Sequence, residues 1–133
     1  MEFPDDRLYS EDGFWLKLEG DTATIGITDW LEQQLGGLAH IEYNESLDEQ
    51  FLIIHSQMRR MDSHHIPKPI LAFPKQIAGK PDGCNGQALE YPNEISDFYG
   101  KDSWLYKMKF EKSSATELMT AAKFRDFIER YYS

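Results

Sequence analysis

The stretch Glu19-Gly20-Asp21-Thr22-Ala23-Thr24-Ile25-Gly26-Ile27-Thr28-Asp29 decides the fold, because it joins a turn, a strand and the start of a helix. Its first three residues predict a tight turn between two short strands. Residues 14–18 before the turn and 22–27 after it are rich in aromatic and β-branched side chains, which suit a half-buried pleated surface. The sequence therefore predicts an antiparallel hairpin at this point of the chain.

A short helix is predicted after the hairpin. Asp29 is its expected N-cap, and Glu32, three residues later, is the expected capping-box partner. Gly36 and Gly37 predict the end of the helix. Apolar and alternating segments predict three further strands, at residues 38–43, 51–54 and 104–110.

The C-terminal part predicts a longer helix. Ser114 precedes Glu117 by three positions, as in a capping box, and apolar residues recur at helical spacing to about residue 131. Residues 66–78 hold three prolines, which exclude a helix and allow only an edge strand. Residues 79–86 predict turns, and residues 1–12 a polar arm. These patterns describe one β-dominated domain.

Composition narrows the functional classes. The chain has 133 residues, with 14 Lys and Arg against 23 Asp and Glu and a formal net charge of −9. This charge disfavours nucleic acid and anionic membranes as partners. Cys84 is the single cysteine, so no internal disulfide forms. We expect a cytoplasmic protein, because the sequence has neither a signal-peptide pattern at its start nor an apolar run of about 20 residues.

Residues 19–29 resemble the N-terminal signature of the glycine cleavage system H-protein family nearly residue for residue, and residues 32–36 continue the match. Residues 85–89, 100–109 and 114–119 resemble the C-terminal pieces of that family, in the same order. The resemblance implies a lipoyl-domain-like fold: a mainly β barrel-sandwich hybrid of two small antiparallel sheets, with a short early helix and a C-terminal helix. It also implies a carrier-type protein or a non-catalytic homologue of one, not an enzyme.

The carrier position departs from the family pattern. Members of the family carry lipoic acid on a lysine at a tight hairpin. Aligning the strand at 51–54 puts His55-Ser56-Gln57-Met58-Arg59 on that hairpin, with Met58 at the lysine position. A thioether has no nitrogen that can form the required amide, and no lysine lies between Lys17 and Lys68. The loop before Phe51 is shorter than in the family and the stretch after Met58 is longer, so residues 55–84 are interpreted as a remodelled hairpin and insert within a single domain, 1–133.

Two hypotheses follow from the resemblance. In the first, the chain is a non-lipoylated, non-catalytic scaffold or regulatory paralogue without a cofactor, whose partners are glycine decarboxylase, aminomethyltransferase, dihydrolipoyl dehydrogenase or lipoate-attachment enzymes. Arg59 and Arg60, an adjacent basic pair in an acidic chain, are its candidate docking residues. In the second, the chain is a working lipoyl carrier modified at a displaced lysine such as Lys68, although Pro67 and Pro69 stiffen the chain there.

A third hypothesis is a small-ligand or metal-binding module built from residues 55–84. The side chains that suggest it are His55, Asp62, His64, His65 and Cys84. Adjacent histidines in extended chain point in opposite directions, and the spacing matches no zinc motif, so no metal site is predicted. Cys84 is expected to be an ordinary thiol in a turn.

The remaining conspicuous residues have structural interpretations. The three tryptophans, Trp15, Trp30 and Trp104, are expected in the core. The acidic residues are expected on the solvated surface, where they are also able to steer a basic partner: Asp5, Asp6, Glu11, Asp12, Glu45, Asp48 and Glu49. No paired-carboxylate site, catalytic triad or phosphate-binding glycine loop is found.

Overall fold

The computed structural model of the chain describes residues 2–35, 37–43, 52–56, 69–71, 77 and 79–132. Eight strands form two antiparallel sheets within this part of the chain. The strands are β1 (Leu8–Tyr9), β2 (Phe14–Glu19), β3 (Thr22–Ile27), β4 (Leu38–Tyr43), β5 (Leu52–Ser56), β6 (Pro69–Leu71), β7 (Gly79–Cys84) and β8 (Tyr106–Phe110). One sheet has the order β1-β2-β3-β8-β7 and the other has the order β4-β5-β6.

The described residues also form three α-helices: α1 (Asp29–Leu35), α2 (Gly86–Glu90) and, after the last strand, α3 (Ala121–Tyr132). Two 3₁₀ helices lie at Pro92–Glu94 and Lys112–Glu117. The mainly β architecture with a short early helix and a C-terminal helix confirms the predicted fold class, whereas α2 was not predicted.

The β2–β3 hairpin forms as the sequence predicts. Its register runs from Phe14 opposite Ile27 to Glu19 opposite Thr22, so only two residues close the turn. Gly20 in that turn has φ of 62°, a left-handed conformation that glycine adopts without a Cβ penalty. Gly26 is required for a different reason: a Cβ at this position would lie 2.3 Å from the Trp15 ring.

The main core lies between the two sheets. Alternate residues of β8 are buried, as predicted, with Lys107 and Lys109 exposed on the opposite face. Ile25 of β3, Ile54 of β5 and Tyr106 of β8 are fully buried in the same cluster. Burial of apolar surface from both sheets is therefore what holds the small sheet against the large one.

A second core lies outside the large sheet. Phe124 of α3 stacks on Tyr9, with ring centroids 5.0 Å apart, and meets the edges of Phe3 and Trp30 at 4.9 and 6.0 Å. Trp15 belongs to the same cluster. The prediction of a polar arm at residues 1–12 is thus wrong for part of that segment, since apolar side chains within it supply core contacts.

Both predicted helix starts need correction. Thr28 caps α1 in place of Asp29, because its hydroxyl accepts the Leu31 N–H at 3.0 Å. The C-terminal helix begins at Ala121 and not after Ser114, because Met119 forms an extended bridge with Tyr9 through two 2.8 Å backbone hydrogen bonds. An extended residue interrupts any helix that would run through it.

The prediction of turns at residues 79–86 is also wrong, because Gly79–Pro81 and Cys84 of β7 pair with β8, with an irregularity between Pro81 and Cys84. Pro81 is compatible with this strand because β7 lies at the edge of its sheet. The expectation of at most an edge strand at residues 66–78 agrees with β6, which contains Pro69 and lies at the edge of the other sheet.

Candidate functional site

The candidate carrier segment begins at the end of strand β5, whose last residue is Ser56. β5 lies in the middle of the small sheet, between β4 and β6. Its register with β4 pairs Tyr43 with Leu52 and Leu38 with Ser56, with an irregularity between Leu38 and His40. His55 and Ser56, predicted to flank the carrier position, are therefore strand residues by their backbone.

The register of β5 with β6 shows how many residues connect the two strands at this site. Ile53, Ile54 and His55 pair with Leu71, Ile70 and Pro69. The chain between the last pair, residues 56–68, is too long for a two-residue hairpin turn, which closes most tight antiparallel pairs. Among the predicted site residues, Gln57, Met58, Arg59, Arg60 and Lys68 lie outside the described residues.

Side chains of β4 and β5 fix the base of this segment against the large sheet. Ile41 and Ile54 are buried in the main core. Tyr43 packs against Tyr106, with ring centroids 6.4 Å apart, and its hydroxyl accepts the Gly83 N–H at 3.3 Å. Strand β5, which leads into the connection, and its neighbour β4 are therefore held by contacts independent of the connection.

An arginine that sequence reasoning missed joins three parts of the chain. Arg7 is only 8% exposed, and its guanidinium carbon lies 4.6 Å from the Trp15 ring centroid and 5.4 Å from that of Tyr99. Its Nη2 donates to the Tyr99 carbonyl at 3.3 Å, and its Nε donates to Asp6 at 2.9 Å. The hydrogen bond from Arg7 lowers the pKa of the Asp6 carboxyl below its ordinary value.

Tyr99 is held from its other end by the start of α1. Its hydroxyl donates to Asp29 at 2.7 Å, and Asp29 also accepts the Trp30 N–H at 3.0 Å. Burial and the hydrogen bond to Asp29 raise the pKa of Tyr99 well above its ordinary range. Asp29, predicted as a helix cap, therefore links α1 to the segment before β8. Only the three-dimensional proximity of residues 7, 29 and 99 reveals this cluster.

The other predicted residues divide between core and surface. Trp15 and Trp30 are buried and Trp104 is half-buried against the second core, as predicted. Cys84 is exposed, but it ends strand β7 and is not in a turn. Asp5, Asp6 and Glu11 are exposed and Asp12 is half-buried, whereas Glu45, Asp48 and Glu49 lie outside the described residues.

Of the candidate metal ligands, only Cys84 has a side chain within the described residues. No three His, Cys, Asp or Glu side chains of the described residues are placed to hold a metal ion. Asp62, His64 and His65 fall outside those residues, as does the side chain of His55. The helices of the described ranges are too short or too polar to cross a lipid bilayer.

Comparison with known proteins gives one consistent result. The chain is 25% identical to the glycine cleavage system H protein of Halothermothrix orenii over 135 residues, covering 97% of this chain and 98% of the relative. It is also 25% identical to the H protein of Staphylococcus carnosus over 129 residues, covering 96% and 98% of the two chains.

A crystal structure shares the fold. The glycine cleavage system H protein from Mycobacterium marinum superposes with a TM-score of 0.68 at 24% identity, covering 93% of this chain and 97% of that one. The family model described as "Glycine cleavage H-protein" matches residues 7–131, which is nearly the whole chain. The chain therefore belongs to the glycine cleavage H-protein family.

Proposed function

We propose that this chain is an H-protein-like domain without a lipoyl group, which binds protein partners but does not carry an aminomethyl group. Members of the family are carriers and not catalysts, and they work with the glycine cleavage enzymes. The observation that carries the proposal is Met58 at the position that the resemblance assigns to the lipoyl lysine. On this proposal the protein acts as a scaffold or as a competitor of the true carrier.

Chemistry and strand register support the proposal separately. Lipoyl attachment forms an amide with a lysine ε-amino group, whereas the methionine sulfur cannot be acylated to an amide. The pairing of His55 with Pro69 leaves residues 56–68 between the two strands, in place of the tight hairpin on which the family presents its lysine. The residues present therefore do not fit the attached group at this position, and we assign no step to it.

What the domain retains is a surface on which partners can dock. Strand β5 is anchored in the core through Ile54, and β6 pairs with β5, so the connection begins and ends at paired strand residues. Arg59 and Arg60, within it, are the proposed contacts to an acidic partner. We propose that residues 55–84 are the remodelled part of a single domain, 1–133, and that the protein acts in the cytoplasm.

A displaced carrier lysine is the second candidate. One observation favours it: Lys68 is the single lysine among residues 56–68, which join β5 to β6. Two observations oppose it. The flanking prolines restrict the backbone, and the pairing of Pro69 with His55 puts Lys68 next to the paired end of the hairpin and not midway along the connection.

Intact-mass spectrometry separates the two candidates. The chain, its Lys68→Arg variant and its Met58→Lys variant are co-expressed with a lipoate ligase in medium containing lipoate, beside the Staphylococcus carnosus H protein as positive control. We expect a lipoyl-sized mass gain in the control and none in the unmodified chain. A gain in the chain that Lys68→Arg abolishes would establish the displaced carrier and overturn the proposal.

The Met58→Lys variant tests how far the segment has diverged. We expect no mass gain in this variant, because the remodelled connection no longer presents a lysine on a tight hairpin. A gain that peptide mapping locates to position 58 would show that the ligase still recognises the segment and that the methionine alone prevents modification. That result would support the absence of the group in the native chain but contradict the remodelling.

A further inference from the structure

The structure has a groove beside helix α2 that none of the functions above uses. One wall consists of α2 and the 3₁₀ helix that follows it, and the other wall is the turn at residues 97–103. Its volume is about 350 Å³. We call it the 87–103 groove. All of its lining residues that the structure describes lie between positions 87 and 103, apart in sequence from the proposed carrier position.

The walls of the 87–103 groove are set by hydrogen bonds within the chain. The side-chain amide of Asn85 donates to the carbonyls of Asp102 and Trp104, both at 2.9 Å, which fixes the turn beside the start of α2. Asp97 accepts the Tyr99 N–H at 3.1 Å, and Ser103 donates to the Gly100 carbonyl at 2.8 Å. The groove is therefore formed before any partner binds, which reduces the entropy cost of binding.

The lining of the groove is aromatic and acidic. Tyr91 is 48% exposed, one of two large hydrophobic side chains that are exposed within the described residues. Glu94, Asp97 and Asp102 line the groove, with Lys101 as the single cation among the lining residues described. Within the described part of the chain, the carboxylates of Glu94 and Asp102 form no ion pair or side-chain hydrogen bond, so both remain open to a cation from outside.

We propose that the 87–103 groove is a docking site for an arginine side chain on a cationic segment of a partner protein. The groove has a volume at the low end of the range for small-molecule pockets, so it accommodates one long side chain better than a cofactor. A guanidinium stacks on a tyrosine ring and binds carboxylates through parallel hydrogen bonds. Lysine offers only a point charge, so arginine fits this combination of an exposed ring and open carboxylates better.

Charge complementarity adds a long-range attraction between this chain and a cationic partner. The chain carries a net charge of −9, so a cationic segment is attracted from any direction. That attraction alone would not select a site. Tyr91 and the two walls of the groove supply local contacts, which distinguish the groove from the rest of the acidic surface.

The test is an NMR titration of the ¹⁵N-labelled full chain with the peptide acetyl-Gly-Arg-Leu-Arg-Gly-amide. The matched probe has citrulline in place of both arginines, which removes the charge but keeps the shape. We expect amide shifts concentrated at Tyr91, Ile95, Gly100 and Asp102 with the arginine peptide, and none of them with the citrulline peptide.

Two charge-matched double variants locate the site. Glu94→Gln with Asp102→Asn removes two groove carboxylates and is expected to weaken binding about fivefold or more. Glu2→Gln with Asp126→Asn removes the same charge elsewhere on the exposed surface and is expected to weaken binding less than about twofold.

A pair of substitutions at Tyr91 tests the stacking. Tyr91→Leu keeps an apolar side chain but removes the ring face, and Tyr91→Ala removes both. Each variant is expected to weaken binding about threefold, because the ring face supplies the cation–π contact. Equal affinity of Tyr91→Leu and the native chain would contradict the stacking.

Three outcomes overturn the proposal. They are shifts spread evenly over the acidic surface, equal weakening by the two double variants, and absence of shifts at millimolar peptide. The two-dimensional spectra report whether each variant is folded, so a loss of binding through unfolding is recognised directly.

Discussion

Two hairpins of this molecule, β2–β3 and β5–β6, differ in the length of chain that joins their strands. In β2–β3 the last pair, Glu19 with Thr22, is joined by two residues, and the ladder continues for six pairs. In β5–β6 three pairs form, and residues 56–68 join the last of them. Nevertheless, both hairpins supply a fully buried isoleucine to the same core, Ile25 from the first and Ile54 from the second.

The contrast between the hairpins shows that the fold requires particular strand residues but tolerates connections of different length. Packing between the sheets specifies the strand residues, because a change of one position would move every side chain to the opposite face. The length of a connection is weakly specified, because closure entropy rises only slowly with the number of residues. The scaffold can therefore tolerate a long connection between β5 and β6.

The largest expected effect is a loss of stability when a buried isoleucine of either hairpin is truncated. This loss tests whether both hairpins share one core. Ile25→Ala and Ile54→Ala should each lower the free energy of unfolding by about 2–5 kcal/mol, because both side chains are fully buried. Denaturant unfolding measures both, with Thr24→Ala, on the half-exposed face of β3, as control. A loss below about 1 kcal/mol for Ile54→Ala alone would mean that the small sheet is not packed as described.

Insertions compare the two connections directly. Gly-Ser-Gly inserted between Gly20 and Asp21 should cost about 1 kcal/mol or more, because it removes the tight turn that fixes the register of β2 and β3. The same insertion between Arg60 and Met61 lengthens an already long connection and should cost less than about 0.5 kcal/mol. Equal costs in thermal unfolding would contradict the distinction between the hairpins.

The smallest effect concerns the charge at the tight turn. Lys109 donates to Asp21 at 3.4 Å, and this hydrogen bond lowers the pKa of Asp21 below its ordinary value of 3.8. The folded pKa is below the unfolded one, so the carboxylate stabilises the fold above pH 3.8. That contribution is lost as the pH falls through the lower, folded pKa.

An NMR titration of the Asp21 carboxyl carbon measures this shift. Lys109→Met should raise the pKa towards 3.8, whereas Lys107→Met, on the same exposed face of β8, should leave it unchanged. An identical pKa in the native chain and in Lys109→Met would remove the role assigned to Lys109.

Much of the fold follows from local sequence. The bounds of β3 and β4 match the predicted residues 22–27 and 38–43, because alternation and turn residues agree there. The errors arise where distant residues decide. Met119 is extended because Tyr9 pairs with it, and Pro81 lies in a strand because β8 offers a partner at the sheet edge.

The candidate sites were less accessible to sequence reasoning. Met58 stands out only against the family pattern, so composition alone would not identify it. Arg7 has the sequence context of a surface charge in an acidic arm, and its burial depends on Trp15 and Tyr99 converging from separate segments. The 87–103 groove likewise depends on Asn85, whose amide joins two segments that are apart in the chain.

The prolines at the sheet edges affect how readily strands from two copies of the protein can pair. β6 contains Pro69 and β7 contains Pro81, and each strand lies at an edge of its sheet. Proline has no amide hydrogen, so neither residue can donate a backbone hydrogen bond to an approaching strand of another copy. These two edges are therefore poorer templates for intermolecular sheet extension than an edge strand without proline.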